Sequence, residues 1–175
     1  MKLEKSEELL LAESGINPTL IRSELRKKGI DTELSVFYES DSTSREARDA
    51  YELYGRRSLI VVADGQTAGR GRRGRSFLSP HGRGIYMSLL ISPDSALGSF
   101  TAVTGLAAVA VCRAIERCSG ILPDIKWVND ICYKGKKLGG ILTEGVLAEE
   151  SLALLRAFFR ERRAARNAES RENEK

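Results

Sequence analysis

Seven consecutive residues, Gly69 to Arg75, carry three glycines and four arginines, and none of their side chains can anchor a core. The segment begins just after an apolar run of strand length, "SLIVVAD" from Ser58 to Asp64, and a second strand-like run, "GIYMSLLIS" from Gly84 to Ser92, follows it. The chain must therefore build a sheet that tolerates a flexible, cationic excursion between two of its strands. "GRGRRG" fits the GxGxxG spacing, but Ser76 to Pro80 lead into another turn and open no helix. That argues against a dinucleotide-binding wind of alternating strands and helices.

The flanking sequence fills in an architecture. Asn17 to Gly29 reads as a helix capped by Asn17, with Pro18 at its first position, Gly29 at its end and Leu20, Ile21 and Leu25 as a short apolar stripe. Leu34 to Tyr38 reads as a strand, and Ser44 to Tyr54 as a second helix closed by Gly55. Ser99 to Cys118 is the most apolar helix, its small residues Gly105, Ala107, Ala108 and Ala110 suiting close packing on a sheet. "DIKWVNDICY" and "KKLGGILTEGVL" read as two strands joined by the tight turn "YKGKK", and from Ala148 the chain turns helical and then strongly charged. The order α-β-α-β-β-α-β-β-α predicts an α+β domain with a mixed, largely antiparallel sheet and helices on one face.

Charge is local. The net +4 of the 175 residues is concentrated in the loop arginines and in Arg156 to Lys175, where seven basic residues face four glutamates. Such a basic spot on a balanced body suits a small anion better than a long nucleic-acid track. Cys112, Cys118 and Cys132 form no CxxC pair and leave an odd number, so neither a zinc site nor a disulfide framework is expected and a reducing cytoplasm is the simplest home. The first residues lack the apolar run of a signal peptide, and no membrane span is expected.

Three segments carry candidate chemistry. In the loop, glycine allows close backbone approach to a ligand and arginine offers a planar fork of donors, so "AGRGRRGR" can fold over a carboxylate or phosphate; it can also be a generic basic loop or a disordered nucleic-acid contact. With no anion to neutralise four like charges, the loop is expected to be mobile when empty and ordered when occupied. In "KWVNDI", strand alternation puts Lys126 and Val128 on one face and Trp127 and Asn129 on the other. Lys126 either points inward and needs an anionic partner, or lies in water on a surface strand. In "ESDSTS", one of Ser42, Thr43 and Ser44 is expected to cap the following helix, leaving the others for a ligand.

In this order the segments resemble the biotin protein ligases, which activate biotin with ATP and transfer it to a lysine of a carboxylase's carrier domain. The family pattern is D-S-T-N, then Q-x-A-G-R-G-R-x-G-R with an aromatic and S-P, then K-W-P-N-D, then K-x-x-G-I-L-x-E. This chain reads "DSTS" from Asp41, "QTAGRGRRGRSFLSP" from Gln66, "KWVNDI" from Lys126 and "KKLGGILTE" from Lys136. The resemblance implies a fold like that of the class II aminoacyl-tRNA synthetases and biotin synthetases.

It also implies roles. Ser42, Thr43, Ser44 and Gln66 would line the biotin pocket. Arg70, Gly71 and Arg72 would hold the biotin carboxylate and the nucleotide phosphates once the loop closes. Lys126 would stand where that carboxylate meets the α-phosphate, making Arg70, Arg72 and Lys126 the catalytic set. Gly69, Arg75, Phe77, Trp127, Asn129, Asp130 and Gly140 would shape the ATP and adenylate side. Mg²⁺ would enter with ATP, held mainly by phosphates, and no dedicated protein metal site is expected. The partner implied is a biotin carboxyl carrier domain, and a homodimer is compatible with the sequence.

The chain also departs from the pattern. Ser44 stands for the usual Asn, Val128 for Pro and Phe77 for the common Trp. Past "GILTEGV" the family's G-I-G-I-N strand and small C-terminal β domain are not found, so residues 1–147 read as an incomplete catalytic domain and 148–175 as a charged helical tail in which Leu152, Leu155, Phe158 and Phe159 could cover the gap. Residues 1–33 leave no room for a helix-turn-helix module, so DNA binding is not expected. A non-catalytic remnant that binds biotin, its adenylate or a partner, and a ligase for a related acid such as lipoate, are the alternative readings.

Overall fold

The computed structural model describes residues 10–11, 13–55, 58–91, 100–126 and 129–145. Residues 10–11 and 13–14 are helical, and helix α1 (Pro18–Lys27) follows. Asn17 caps α1 as its sequence predicts: its side-chain oxygen accepts from the backbone N–H groups of Thr19 and Leu20 at 3.0 and 3.1 Å. Gly29, at φ +66°, turns the chain out of the helix. Ile21 and Leu25 are half-buried but Leu20 is 63% exposed, so the expected stripe of three is a stripe of two.

Strand β1 (Glu33–Ser40), helix α2 (Thr43–Tyr54) and strand β2 (Leu59–Gln66) form a parallel strand pair linked by a helix, with Gly55 ending α2 in the left-handed conformation. Strand β3 (Tyr86–Leu90) then runs antiparallel on the other side of β2, giving the order β1-β2-β3. The run "LIVVA" is apolar throughout because both faces of β2 are covered. Leu59 and Val61 pack with Ala47 of α2 on one face, while Val62 packs with Val36 and Leu11 on the other. Each such fully buried side chain contributes about 1.5–3 kcal/mol, which makes the β1/β2 pair the stable platform from which the loop departs.

Helix α3 (Phe100–Ser119) leads to a second, antiparallel sheet of β4 (Asp124–Lys126), β5 (Asp130–Tyr133) and β6 (Lys136–Gly140). Of the small residues expected to pack, Ala108 is fully buried, with Thr104 one turn before it, Gly105 and Ala107 are half-buried, and Ala110 is exposed. Lys134 and Gly135, both at positive φ, make the two-residue turn between β5 and β6 that "YKGKK" predicts. Among the described residues one strand pairing is parallel and three are antiparallel, the mixed, largely antiparallel α+β arrangement expected.

"DIKWVNDICY" is two strands, not one. Strand β4 pairs antiparallel with β5, Lys126 with Asp130 and Ile125 with Ile131, so the chain reverses between the two strands. Asn and Asp favour such turns because their short polar side chains satisfy the turning backbone. Strand β4 ends at Lys126, and the faces expected for Trp127 and Val128 lie outside the described residues. Strand β6 likewise stops at Gly140, although the Ile141 N–H still bonds the Asn129 carbonyl at 2.8 Å. Trp127, Val128 and the helical tail expected from Ala148 lie outside the described residues.

Candidate functional site

Five buried polar residues, Ser40, Ser42, Thr43, Asp64 and Ser79, gather around the carboxyl ends of β1 and β2. Buried polar groups need partners, and Gln66 supplies them for two of the five, Thr43 and Ser79. Its side-chain oxygen accepts from the Thr43 N–H at 2.9 Å and from the Thr43 hydroxyl at 3.2 Å, and its amide nitrogen donates to the Ser79 hydroxyl at 2.9 Å. Thr43 Oγ1 also meets Ser88 Oγ of β3 at 2.8 Å. One amide thus ties the start of α2, the return of the loop and the third strand together.

This corrects the expected helix cap. Ser42 occupies the N-cap position of α2, but its hydroxyl makes no cap bond and instead meets Ser44 Oγ at 3.0 Å. The first N–H of the helix is satisfied by Gln66 from across the sheet, which frees the serine hydroxyls. "DSTS" and "QTAG" are also held backbone to backbone: Thr67 N–H bonds the Ser40 carbonyl at 3.0 Å, and Ala68 N–H that of Asp41 at 2.8 Å.

The Gly/Arg loop has more internal order than its charge suggests. It folds back on itself like a small hairpin, with Phe77 N–H bonded to the Gly69 carbonyl at 2.8 Å, Gly71 N–H to that of Arg75 at 2.7 Å, and a 3₁₀ turn from Arg72 to Gly74 at its tip. Gly69 is required at the base: a Cβ there would lie 2.5 Å from the Phe77 carbonyl oxygen and 2.6 Å from Ser79 Oγ. Arg70, Arg72 and Arg75 are exposed, as is Phe77 at the loop's return.

Among the described residues, the "KWVNDI" motif meets the loop through Arg72. Arg72 Nη1 donates to Asn129 Oδ1 at 2.8 Å, joining residues 57 positions apart. Asp130, beside Asn129, is ion-paired with Lys137 of β6 at 2.7 Å. Gly140 borders that pair, since a Cβ there would come 3.0 Å from Lys137 Nζ. Lys126 is exposed at the end of β4, so of its two expected settings the one in water is observed.

A group that the motifs do not announce adjoins this region. His81, the chain's single histidine, places Nδ1 3.0 Å from Asp64 Oδ2 and Nε2 2.9 Å from Glu39 Oε2. Its ring stacks on Tyr38 with centroids 4.3 Å apart. The hydrogen bond to Glu39 does most to raise its pKa above the usual 6.5; Asp64 adds to this against the opposing effect of desolvation. Burial, with the Asp64 charge, likewise raises the pKa of the Tyr86 phenol. Ser79 closes the loop motif as its S-P serine, but Ser88 and His81 carry no sequence signal of their own, because each gains its place only when β3 and the loop's return fold onto β2.

The model of the biotin/lipoate A/B protein ligase family matches residues 37–155, well over half the chain, and the chain belongs to that family. Its relatives in that family include biotin ligases. The bifunctional ligase/repressor BirA of Bacillus spizizenii is 47% identical over 137 residues, covering 75% of this chain and 41% of BirA. The biotin--[acetyl-CoA-carboxylase] ligase of Paracoccus denitrificans is 37% identical over 108 residues, 60% of this chain and 44% of that protein. The solved biotin protein ligase of Aquifex aeolicus, in complex with biotin and ATP, superposes with a TM-score of 0.59 at 32% identity, over 67% of this chain and 49% of that one. The chain thus spans less than half the length of these relatives.

Proposed function

We propose that this chain carries the biotin- and ATP-binding part of a biotin protein ligase, which forms biotinyl-5′-AMP and passes the biotinyl group to a lysine of a carboxylase's carrier domain. The observation that carries this reading is the Arg72–Asn129 hydrogen bond, which brings the arginine loop, rooted in the β2 strand that ends at Gln66, against Asn129 of the "KWVND" motif. Biotin's ureido ring would take the hydroxyls of Ser42, Thr43 and Ser44 and the amide of Gln66. Its carboxylate would point toward Arg70, Gly71 and Arg72.

The chemistry follows from charge. A carboxylate oxygen of biotin attacks the α-phosphorus of ATP, the bond to the bridging oxygen breaks and pyrophosphate leaves. Two anions must meet for this, so Arg70, Arg72 and Lys126 offset their repulsion and the charge that grows on the phosphate oxygens. Gly69, Arg75, Phe77, Trp127, Asn129, Asp130 and Gly140 form the nucleotide side, and Mg²⁺ accompanies ATP on its phosphates. A closed loop keeps water from the mixed anhydride. The carrier's lysine amine then attacks the acyl carbon, AMP departs and the amine loses its proton. The reaction belongs in the cytoplasm, where the three cysteines, all free, stay reduced. A homodimer is compatible with this reading.

Incubation with biotin, α-labelled ATP and a biotin carrier domain tests the proposal: labelled adenylate and biotinylated carrier are expected. Tight biotin binding with neither product would support the non-catalytic reading, and label transfer with lipoate alone would move the substrate. Arg72→Gly removes both the bond to Asn129 and a cation beside the phosphate. A charge-assisted bond of about 1.5–3 kcal/mol predicts adenylate release faster by at least about tenfold, measured by filter retention or stopped flow. Unchanged release would count against a closing loop.

A further inference from the structure

We infer that His81 is a positioning residue: its imidazolium, held between Glu39 and Asp64, straps the Ser79–Gly82 turn to the end of β2 and so keeps Gln66 turned toward Thr43. The inference rests on the reading of Gln66 and Thr43 as biotin contacts.

The turn is pinned at both ends to nearby residues of one strand. At one end Gln66 N–H bonds the Ser79 carbonyl and Gln66 Nε2 the Ser79 hydroxyl, both at 2.9 Å. At the other end the buried Asp64 carboxylate accepts from the Gly82 N–H at 3.1 Å and holds His81 Nδ1. The imidazole fills the space that a side chain at position 65 would need, since a Cβ on Gly65 would lie 2.5 Å from the ring. Glu39 and Tyr38 reach it from β1 and Asp64 from β2, while Tyr86 of β3 donates to the Pro80 carbonyl within the same turn.

Proton counting makes this arrangement sensitive to pH. Ionised carboxylates only accept hydrogen bonds, and a neutral imidazole has one N–H, so satisfying both partners requires the charged ring. Once the proton is lost, one ring nitrogen faces carboxylate lone pairs and one of the two His81 bonds is gone, leaving the turn to the other and to the Ser79–Gln66, Gly82–Asp64 and Tyr86–Pro80 bonds. Because the folded-state pKa is raised, the strap is fully present below about 6.5 and is lost as pH rises through the higher folded-state value. The effect is an upward shift in biotin's dissociation constant on the alkaline side, with the chemical step unaffected.

A single histidine makes the titration legible by NMR of its ring carbons. The expected result is a His81 midpoint above 6.5, raised further by biotin. Biotin's dissociation constant should increase about fivefold through the same pH range, at the low end of typical coupling between two sites. His81→Gln should flatten that increase and change KM but not kcat, and Asp64→Asn should lower the His81 midpoint, with circular dichroism confirming that both variants fold. A midpoint at or below 6.5, or the same pH dependence of affinity in His81→Gln, would overturn the inference. If biotin fails to bind at every pH, the functional reading falls, but hydrogen exchange at the Gly82 amide still decides the strap: protection must be lost through the His81 midpoint, and protection that is flat with pH refutes it.

Discussion

Replacing Gln66 by alanine is expected to weaken biotin binding by about a hundredfold. The side chain makes three hydrogen bonds, to the Thr43 N–H, the Thr43 hydroxyl and the Ser79 hydroxyl, and both Thr43 and Ser79 are buried. Thr43 Oγ1 keeps Ser88 as a partner, and Ser79 Oγ keeps the Phe77 carbonyl. The Thr43 N–H loses its acceptor, and an unsatisfied buried donor costs about 1–3 kcal/mol. Adding the direct loss of an amide that would meet the ureido ring brings the total near 2.7 kcal/mol, or two decades of affinity. Calorimetry with biotin measures the affinity, and a urea melt should show a lowered midpoint from the unsatisfied N–H. Gln66→Glu separates the two contributions, because it keeps an acceptor for Thr43 but cannot donate to Ser79. A fall of less than twofold in the alanine variant would show that Gln66 supports the fold without touching ligand.

Much of the framework could be read from sequence because its signals are local. Asn17, Pro18 and Gly29 mark a helix by chemistry that acts within a turn of each residue, and Lys134–Gly135 marks a hairpin in the same way. The continuous run from Leu59 to Ala63 announces a strand covered on both faces. The site was legible as motifs but not as bonds. Nothing near Ser42 reveals that the cap of α2 comes from Gln66, because that bond spans 23 residues and exists only once β1 and β2 pair in parallel register. The break between β4 and β5 was hidden for a related reason. "DIKWVNDICY" reads as a single strand-like run interrupted by Asn129 and Asp130, and the reversal between β4 and β5 shows only once Ile125 pairs with Ile131. His81 was silent because its partners, Glu39 and Asp64, come from two other strands and leave no periodic trace.

The loop glycines look equivalent in sequence and are not equivalent in space, so they make a discriminating test. Gly74 is at φ +72° with nothing near a prospective Cβ, so alanine there meets only the left-handed backbone penalty of about 1–2 kcal/mol, at an exposed tip that can relax. Gly69 has no positive φ, but its Cβ would be 2.5 Å from the Phe77 carbonyl oxygen, 2.6 Å from Ser79 Oγ and 3.1 Å from Gln66 Nε2. The first of these is backbone and cannot swing aside; the other two belong to the network that holds Thr43. Relief therefore requires opening the Phe77–Gly69 hydrogen bond at the loop's base or displacing Gln66, and overpacking of this kind costs about 1–3 kcal/mol. Gly69→Ala is expected to reduce adenylate formation by about a hundredfold through a misplaced loop, while Gly74→Ala stays within about tenfold. Pyrophosphate release under biotin saturation measures both. Equal effects at the two positions would mean that the loop acts only through its charge, and that its path off β2 is immaterial to catalysis.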